Sequence, residues 1–261
     1  MSYKIYQVDS FTDSSFSGNP ACVVPLKTWL SDDLLLKIAQ ENAVAETAFF
    51  IDKGKYIHLR WFTPDSEIDL CGHATLATAY VLNKIIKYPL NDIKFHTLSG
   101  ELTVKCLNDF YYLNFPARKG VKVNLPDEII SSLNIQPQEV FKSRDYMLVY
   151  KNEKEVRDIN INRHYFDKIN LGYGGVIITS RGDSVDFVSR FFTPQATILE
   201  DPVTGSAHCT LIPFWSSRLL KKKLKAIQVS NRGGVILCED IKDRVLIGGQ
   251  AKLFSSGEFY L

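Results

Sequence analysis

The sequence predicts an α+β fold with two pseudo-symmetric halves, each a curved, mostly antiparallel β-sheet or barrel wrapped around a central α-helix. Three observations predict this fold. An aromatic-Thr-Pro motif occurs twice, each copy is followed by a glycine that leads into an apolar helix, and many short strand-like segments surround both helices. A helix that is apolar on all sides is usually buried in the middle of its domain. The length of 261 residues is enough for two domains.

The internal repeat becomes visible when the chain is aligned with itself. The first half has WFTP at 61–64 and the second half has FFTP at 191–194. Gly72 follows the first motif and Gly205 follows the second, each directly before a helix-like apolar run. The second copy contains three extra residues, around Asp201. An ordered series of matching features favours two similarly folded halves over a chance match.

Local patterns predict the first elements of the chain. The N-terminal segment MSYKIYQVDSF alternates apolar and polar residues, as a strand does. Residues 32–43 are predicted to form a helix, because Ser31 is a favourable N-cap and two aspartates occupy the first turn. The segment FSGNPACVV, residues 16–24, is turn-like, and either lines a cleft or connects two strands.

The two central helices are predicted over residues 73–85 and 205–220, where apolar and small residues dominate. Pro213 lies within the second helix and is expected to interrupt or kink it. A strand, a turn with Ser and Gly, and a second strand follow each helix. The join between the halves is predicted at FPARKGVKVNLP, which has two prolines, a glycine and several charges, so the halves are residues 1–116 and 117–249.

Composition excludes several classes of function. The net charge of +2 is too balanced for a nucleic-acid partner. No apolar stretch approaches the roughly 18 residues that span a bilayer, so no membrane partner is expected. The five cysteines form no CxxC pair, which is typical of reduced thiols in a cytoplasmic protein. The five histidines show no HExxH or HxH spacing, so no metal site is expected.

The two glycine-helix junctions are candidate binding sites. A helix N-terminus presents unpaired N–H groups and a partial positive charge, which suit anions such as carboxylates. Gly72 and Gly205 would let a ligand approach the backbone, while His73 and Ser206 add polar groups. If the repeat places both junctions face to face, a small anion would bind between the halves. The alternative is that these residues only cap helices and turn the chain.

Two acidic residues are candidate functional groups. Glu46 lies between small residues and an apolar strand, and burial against an apolar wall would let a carboxylate exchange protons near neutral pH. The alternative is a solvent-facing glutamate at the start of a strand. Asp201 belongs to the three-residue insertion, where a functional role and a turn are equally plausible. His208 lies within the second apolar helix, where a hydrogen-bonded core histidine is expected rather than a catalyst.

The chain resembles the PhzF-like family, which is named for the isomerase of phenazine biosynthesis and has a fold like that of diaminopimelate epimerase. The matching segments are VDSFTDSSFSGNPACVV, AETAFF, RWFTPDSEIDLCGHATLA, EDPVTGSAHCTLIPFW and, more weakly, GGQAKLFSSGEFYL. Together they run from residue 8 to the C-terminus. The order of CGHAT and DPVTGSAH makes this resemblance specific.

The resemblance implies a site between the halves, with segment 250–261 returning to the first half. It implies no metal and no organic cofactor, a small carboxylate-bearing substrate and a homodimer. Glu46 falls on the position of the proton-transferring glutamate. The family's substrate-contacting positions fall on His73, Asp201 and Ser206, with Gly72 and Gly205 at the helix N-termini.

Three functions follow as hypotheses. The first is a cofactor-independent isomerase that uses Glu46 for acid/base catalysis, with Asp201 as a second polar catalytic group. The second is a small-anion binding protein with little or no catalysis, which would gain nothing from a nearby carboxylate. The third is a two-base epimerase. It is disfavoured because Thr204 precedes Gly205 where the epimerases of this fold have a second cysteine, and a hydroxyl is far too weak an acid for that role.

Overall fold

The structure is a computed structural model that describes all residues from 1 to 261. The chain divides into two compact units. The first unit contains residues 1–115 and 246–261, and the second contains residues 116–245. None of the helices combines the length and the apolar character that crossing a membrane would require.

The strands, in chain order, are β1 (Ser2–Ser10), β2 (Asn19–Pro25), β3 (Glu46–Asp52), β4 (Ile57–Phe62), β5 (Glu67–Ile68), β6 (Asp92–Thr97), β7 (Gly100–Leu107), β8 (Phe110–Pro116), β9 (Val121–Lys122), β10 (Glu139–Lys142), β11 (Tyr146–Val149), β12 (Val176–Arg181), β13 (Phe187–Phe192), β14 (Lys223–Gln228), β15 (Gly234–Asp240), β16 (Arg244–Gly249) and β17 (Ala251–Tyr260). The α-helices are α1 (Asp32–Asn42), α2 (Gly72–Tyr80), α3 (Asp127–Ser132), α4 (Glu153–Asp158), α5 (Arg163–Phe166) and α6 (His208–Leu219). A π-helical segment, Val81–Ile86, continues α2.

The first unit is a curved sheet around α2. Its strands follow the order β17, β1, β2, β3, β4, β6, β7, β8, with β5 paired to β4. The pairs β2–β3 and β4–β6 are parallel and the others are antiparallel. Helix α2 contacts β17, β1, β2 and β3 near one end of this order and also β7 near the other end. One helix can contact both only if the sheet bends around it, so the predicted architecture is confirmed.

Helix α2 is buried along nearly its whole length, as its composition predicts. Residues from Gly72 to Ala79 are all buried. Two threonines are tolerated there because their hydroxyls donate to backbone carbonyls one turn earlier, Thr75 to Cys71 and Thr78 to Ala74. The predicted helix over 73–85 therefore exists, although its last part is π-helical.

Helix α1 lies where the sequence predicts it. Leu35 and Ile38 are on its buried face, and Ala43 ends it in the left-handed conformation. Ser31 occupies the N-cap position, but its side chain makes no capping hydrogen bond. The helix is therefore stabilised by its buried face and by the two aspartates of its first turn rather than by that cap.

The second unit also places a helix against a sheet. Its strands follow the order β9, β10, β11, β12, β13, β14, β15, with parallel pairs β11–β12 and β13–β14. Helix α6 packs on this sheet through Trp215, whose indole N–H donates to Thr179 Oγ1 at 3.0 Å and whose ring stacks on Phe187. The buried helix predicted for the second half is thus confirmed.

Helix α6 departs from the prediction in two ways. It begins at His208, three residues later than expected, because His208, Cys209 and Thr210 bond to carbonyls three residues earlier. Gly205 and Ser206 therefore lie in a tight turn that precedes the helix. The helix also continues through Pro213 without a break. Pro213 cannot donate to the carbonyl of Cys209, but the N–H of Arg118 donates to that carbonyl at 2.8 Å and satisfies it.

The repeat includes an ion pair that local sequence patterns did not reveal. Arg60 makes a bidentate contact with Glu67, at 2.7 Å for both hydrogen bonds. Arg190 makes the same contact with Glu200, at 2.7 and 2.9 Å. Both arginines stand two residues before the phenylalanine of the aromatic-Thr-Pro motif. The partner glutamates are seven and ten residues downstream, whereas each glutamate is five residues before its glycine. The three extra residues of the second copy therefore lie before Glu200, and the prediction that Asp201 belongs to this insertion is wrong.

Candidate active site

The first unit brings Glu46 and His73 into contact. Glu46 is the first residue of β3, and His73 is the second residue of α2. Nε2 of His73 lies 2.9 Å from Oε2 of Glu46, and the side chains are 3% and 14% exposed. The contact is a close ion pair without the in-line alignment of a hydrogen bond, and neither atom has another hydrogen-bond partner. Nε2 of His73 and Oε2 of Glu46 therefore have only each other as a close polar contact.

The position of Glu46 is fixed by the chain on both sides. Ala43 ends α1 in the left-handed conformation and turns the backbone toward β3. Asn42 Nδ2 then donates to Thr47 Oγ1 at 3.0 Å, which ties the end of the helix to the start of the strand. On its other side Glu46 is in register with Ala21 of the parallel strand β2. The carboxylate thus projects from a backbone that is held by two elements.

His73 is oriented by two polar residues that the site hypothesis did not include. Ser10 Oγ donates to the carbonyl of His73 at 2.7 Å, and Asn19 Nδ2 lies 3.0 Å from Nδ1. Asn19 therefore fixes the orientation of the imidazole through Nδ1, so that Nε2 faces Glu46. Asn19 belongs to the GNP segment, which lines this cluster rather than only connecting strands. A polar residue directly before an apolar strand was the available signal.

Cys71 completes the cluster from the other side of the imidazole. Its Sγ lies 3.6 Å from Nδ1 of His73. Burial raises the pKa of the Cys71 thiol to about 11, and the charge of Glu46 adds to this effect. The thiol is consequently neutral at pH 7. In this state it is a poor base and a weak hydrogen-bond partner for the ring.

The charge state of His73 is set by opposing effects. Burial disfavours the imidazolium and acts to lower the pKa, but the facing Cys71 and Glu46 outweigh burial and hold the pKa of His73 well above its usual value. Since the Cys71 thiol is neutral at pH 7, the carboxylate of Glu46 is the charge that stabilises the imidazolium. When His73 is protonated, the Asn19 amide has to present its oxygen to Nδ1 instead of its nitrogen.

Three donor types that bind zinc in other proteins meet in this cluster. Single ligand atoms of Glu46, Cys71 and His73 all lie within 4.8 Å of one another. Both ring nitrogens of His73 already face partners inside the cluster. A cation bound here would replace the proton between Glu46 and His73.

The start of α2 offers an anion-binding backbone next to this cluster. Gly72 opens the helix, and Thr75 is the first residue whose N–H reaches a helical acceptor, the carbonyl of Cys71. The N–H groups of Gly72 and His73 therefore lack acceptors within the helix, while the N–H of Ala74 faces the Cys71 thiol. Gly72 adds no side chain that would block a ligand. This is the position at which a carboxylate would be stabilised.

In the second unit Asp201 is held by a hydrogen-bonded loop. The hydroxyl of Thr204 donates to Asp201 Oδ2 at 2.5 Å, and the Asp201 N–H donates to the carbonyl of Phe191 at 3.1 Å. Thr204, which stands where a second catalytic cysteine would be needed for two-base epimerisation, thus orients the acid. The loop places the Asp201 side chain next to the Gly205 turn.

Gln228, which sequence reasoning missed, fastens this loop to the sheet. It is fully buried at the end of β14. Its Oε1 accepts from the Thr204 N–H at 2.8 Å, and its Nε2 donates to the Asp201 carbonyl at 2.7 Å and to Thr204 Oγ1 at 3.2 Å. One side chain therefore satisfies three polar groups of the loop that carries Asp201.

Ser206 is paired with a cation that the sequence analysis also missed. Arg144 Nη2 donates to Ser206 Oγ at 3.0 Å, and the same guanidinium makes two 3.0 Å hydrogen bonds to Asp145. Arg144 is largely buried, so its charge is only partly screened by water. The ion pair between Arg144 and Asp145 therefore holds the Ser206 hydroxyl in the Gly205-Ser206 turn.

His208 is a core residue, as expected. It is fully buried, and its Nδ1 donates to the Thr204 carbonyl at 2.9 Å. Burial lowers the pKa of His208 to about 4, so the ring is neutral at pH 7. The structure thus gathers Glu46, Gly72 and His73 in the first unit. In the second unit it gathers Asp201, Gly205 and Ser206 on one loop and turn.

Comparison with known proteins gives consistent matches over the whole chain. The family model PhzC-PhzF, described as phenazine biosynthesis-like protein, matches residues 8–257. A Pseudomonas aeruginosa protein named an uncharacterized isomerase is 44% identical, and the match covers 100% of both chains. The crystal structure of a PhzF family protein from Enterococcus faecalis has a TM-score of 0.94 at 46% identity, covering 100% of both chains.

A more distant structure shares the fold alone. The crystal structure of a probable proline racemase from Agrobacterium radiobacter has a TM-score of 0.64 at 11% identity. The match covers 99% of this chain and 93% of that chain. It places the curved-sheet architecture among folds that include racemases and epimerases.

Proposed function

The chain belongs to the PhzC-PhzF family of phenazine biosynthesis-like proteins, and we propose that it moves a proton on a small carboxylate-bearing molecule, with Glu46 as both acid and base. The coarser assignment, an isomerase, follows from the family and from full-length relatives named isomerases. The observation that carries the mechanism is the contact between Glu46 and His73 at 2.9 Å, between largely buried side chains.

Glu46 can relocate a proton without a second base. As a carboxylate it accepts a proton from one substrate carbon, and as a carboxylic acid it returns a proton to another carbon. Oε2 faces His73, so Oε1 is the oxygen that exchanges the proton with substrate. His73 stabilises the carboxylate form and holds its orientation. The 14% exposure of the Glu46 side chain leaves an opening for a substrate while excluding most water.

The substrate carboxylate is proposed to bind at the first turn of α2, beside Gly72 and His73. This turn supplies N–H donors and the positive end of the helix dipole. The Gly205-Ser206 turn is proposed as a second contact for a substrate.

Asp201 is proposed as the second catalytic group, which hydrogen-bonds a polar group of the substrate. The Thr204 hydroxyl donates to Oδ2 of Asp201 and fixes the orientation of this carboxylate. The loop is fastened by Gln228, so Asp201 would be positioned before the substrate arrives. Its exchange for asparagine should weaken substrate binding and turnover together.

The two-base epimerase is less well supported. The pKa of Cys71 is raised to about 11, so its thiolate is scarce at pH 7. The hydroxyl of Thr204 donates its hydrogen to Asp201. A single-carboxylate mechanism also requires no metal or organic cofactor, and none is proposed. The five cysteines are unpaired and buried, which supports the proposal of a reducing, cytoplasmic location.

The alternative function is a binding protein that holds a small anion and catalyses little. Solvent exchange separates the two functions. The chain is incubated in deuterium oxide with a panel of small unsaturated or cyclic carboxylic acids, and deuterium at carbon is followed by mass spectrometry. We expect incorporation with the wild type and a loss of about 10²–10⁴ in rate for Glu46→Gln, which cannot accept the proton.

The control is Glu41→Gln, which removes an exposed carboxylate five residues away and should leave the rate unchanged. An acid that binds both the wild type and Glu46→Gln but exchanges no hydrogen with either would identify the chain as a binding protein. Equal exchange by the wild type and Glu46→Gln would show that another group transfers the proton.

A further inference from the structure

The cluster of Glu46, Cys71 and His73 has the donors of a metal site. It combines a carboxylate, a thiol and an imidazole, which are the three groups that hold zinc in proteins. Single ligand atoms of these side chains lie within 4.8 Å of one another. The expectation of no metal site rested on the spacing of histidines. That spacing does not detect this set, because Glu46 comes from β3 whereas Cys71 and His73 come from the start of α2.

Two buried atoms of the cluster favour a cation between them. Nε2 of His73 and Oε2 of Glu46 lie 2.9 Å apart, yet neither has a hydrogen-bond partner. Buried polar atoms are almost always satisfied in folded proteins, so such atoms call for an explanation. A cation bound by the imidazole nitrogen and the carboxylate oxygen would satisfy both atoms without the in-line alignment that a hydrogen bond needs.

The distances in the cluster are close to those of a tetrahedral site. Zinc bonds of about 2.0–2.3 Å place neighbouring ligand atoms roughly 3.3–3.6 Å apart. The 2.9 Å between Nε2 and Oε2 is slightly shorter, and the longest separation in the cluster, at most 4.8 Å, is longer. Movements of about 1 Å by the Glu46 and Cys71 side chains would therefore close the site around an ion. Glu46 is 14% exposed, so an ion can enter from its side.

Neighbouring groups would hold two of the ligands in place. A histidine that binds a metal through one ring nitrogen usually donates the hydrogen of its other nitrogen to a fixed acceptor. The Asn19 amide lies 3.0 Å from Nδ1 of His73, and it accepts that hydrogen when it presents its oxygen. The N–H of Ala74 faces the Cys71 thiol and would stabilise the thiolate that a metal requires.

We propose that Glu46, Cys71 and His73 bind a thiophilic divalent cation of the zinc type, and that the bound ion inhibits proton transfer by Glu46. Thiolate and imidazole ligands favour Zn²⁺ and Co²⁺, whereas Mg²⁺ prefers a set of oxygen ligands. Binding releases the hydrogen of the Cys71 thiol to solvent. The inhibition rests on the proposed function of Glu46, because a carboxylate bound to a cation is a weaker base. The binding site itself does not depend on that function.

Cobalt binding tests the site directly. A thiolate bound to Co²⁺ absorbs strongly in the near ultraviolet, whereas bound water and carboxylate do not. We expect this band to grow until one Co²⁺ is bound per chain, and Zn²⁺ but not Mg²⁺ to remove it by displacement. Cys71→Ser should lose the band. Cys106→Ser, which removes a buried thiol of β7 outside the cluster, should keep it.

The affinity for Zn²⁺, measured by calorimetry, separates this site from weak surface binding. Asn19→Ala should weaken binding by roughly 10–100-fold, the usual cost of removing the hydrogen-bond partner of a ligand, and Glu46→Gln and His73→Gln should weaken it by more. Glu41→Gln removes an exposed carboxylate and should leave the dissociation constant unchanged. Circular dichroism spectra like that of the wild type show that each variant is folded.

Two results would overturn the metal site. One is a wild type that gives no thiolate band in excess Co²⁺. The other is folded Cys71→Ser and Glu46→Gln variants that bind Zn²⁺ as tightly as the wild type, which would place the ion elsewhere.

The deuterium exchange assay tests the inhibition. Saturating Zn²⁺ should lower the exchange rate of the wild type by about 10²–10⁴, the contribution of a positioned acid–base group, and a chelator should restore it. Exchange that continues at the same rate with the site filled would contradict the inhibition. A chain that binds Zn²⁺ but catalyses no exchange even with chelator present would contradict the proposed function and leave the metal site supported.

Discussion

Replacing Gln228 with leucine should loosen the loop that carries Asp201. Leucine keeps much of the volume of the glutamine but removes its three hydrogen bonds, to the Thr204 N–H, the Thr204 hydroxyl and the Asp201 carbonyl. The Thr204 N–H is the costly loss, because Thr204 is 5% exposed and water cannot easily replace the acceptor. The Asp201 carbonyl is on a half-buried residue and can be reached by water more easily.

The expected loss of stability follows from these contacts. A buried donor left without an acceptor costs about 1–3 kcal/mol, and the lost bonds to Asp201 and the Thr204 hydroxyl add about 1 kcal/mol. We therefore expect Gln228→Leu to lower the free energy of unfolding by about 2–4 kcal/mol. This loss is smaller than the 5–15 kcal/mol of a typical domain, so the variant should still fold. Asp201 would lose its orientation, so the rate of solvent deuterium exchange into the substrate should fall as well.

Urea denaturation followed by circular dichroism measures the first effect, and solvent deuterium exchange measures the second. Gln138→Leu is the matched control, because Gln138 is exposed, and its stability should change by no more than about 0.5 kcal/mol. Gln228→Glu keeps an acceptor for the Thr204 N–H, so it should fold better than the leucine variant at low pH. If Gln228→Leu unfolds at the same urea concentration as the wild type and catalyses deuterium exchange at the same rate, the hydrogen bonds of Gln228 neither stabilise the fold nor position Asp201.

Three further predictions concern ionisable groups. The raised pKa of His73 stabilises the fold fully below about pH 6.5, and this contribution should disappear as the pH rises through the pKa that His73 has in the folded state. Glu46→Gln should flatten the pH dependence of the free energy of unfolding, measured by urea titrations from about pH 6 to 9. Because His208 has a pKa of about 4, the free energy of unfolding should fall by up to about 3 kcal/mol as the pH falls from 6.5 to 4. His208→Gln should remove that loss. If this variant unfolds in acid at the same pH as the wild type, the prediction is wrong. The five buried thiols, including Cys71, should resist Ellman's reagent in the native chain at pH 8 and react in guanidinium; fast native reaction of Cys71 would refute its burial.

The fold could be predicted because its signals are local. The all-round apolar character of α2 and α6 marks buried helices, and the repeated aromatic-Thr-Pro motif marks two similar halves. The environment of Glu46 could not be decided from spacing, since a strand-start glutamate that faces solvent has the same local sequence. Only the packing of β3 against α2 places its carboxylate beside His73.

The residues missed by sequence reasoning act over long separations. Gln228 is 24 positions from Thr204, Arg144 is 62 from Ser206, and Asn19 is 54 from His73. Tertiary packing determines these contacts, and the local sequence around each residue resembles that of an ordinary strand or loop. For a related reason, the sequence analysis predicted the start of α6 three residues too early. Gln228 holds the Thr204 N–H from outside, and tighter turns over Gly205 and Ser206 replace the first helical turn.

The fate of a single hydrogen tests the central claim, proton relocation by Glu46, most directly. A substrate identified in the exchange screen is labelled with deuterium at the carbon that loses its proton and is converted in ordinary water in a single turnover. One shielded carboxylate that both removes and returns the hydrogen should leave a measurable fraction of deuterium at the new carbon of the product. A product with only solvent hydrogen there, delivered to the opposite face, would contradict the single-glutamate mechanism.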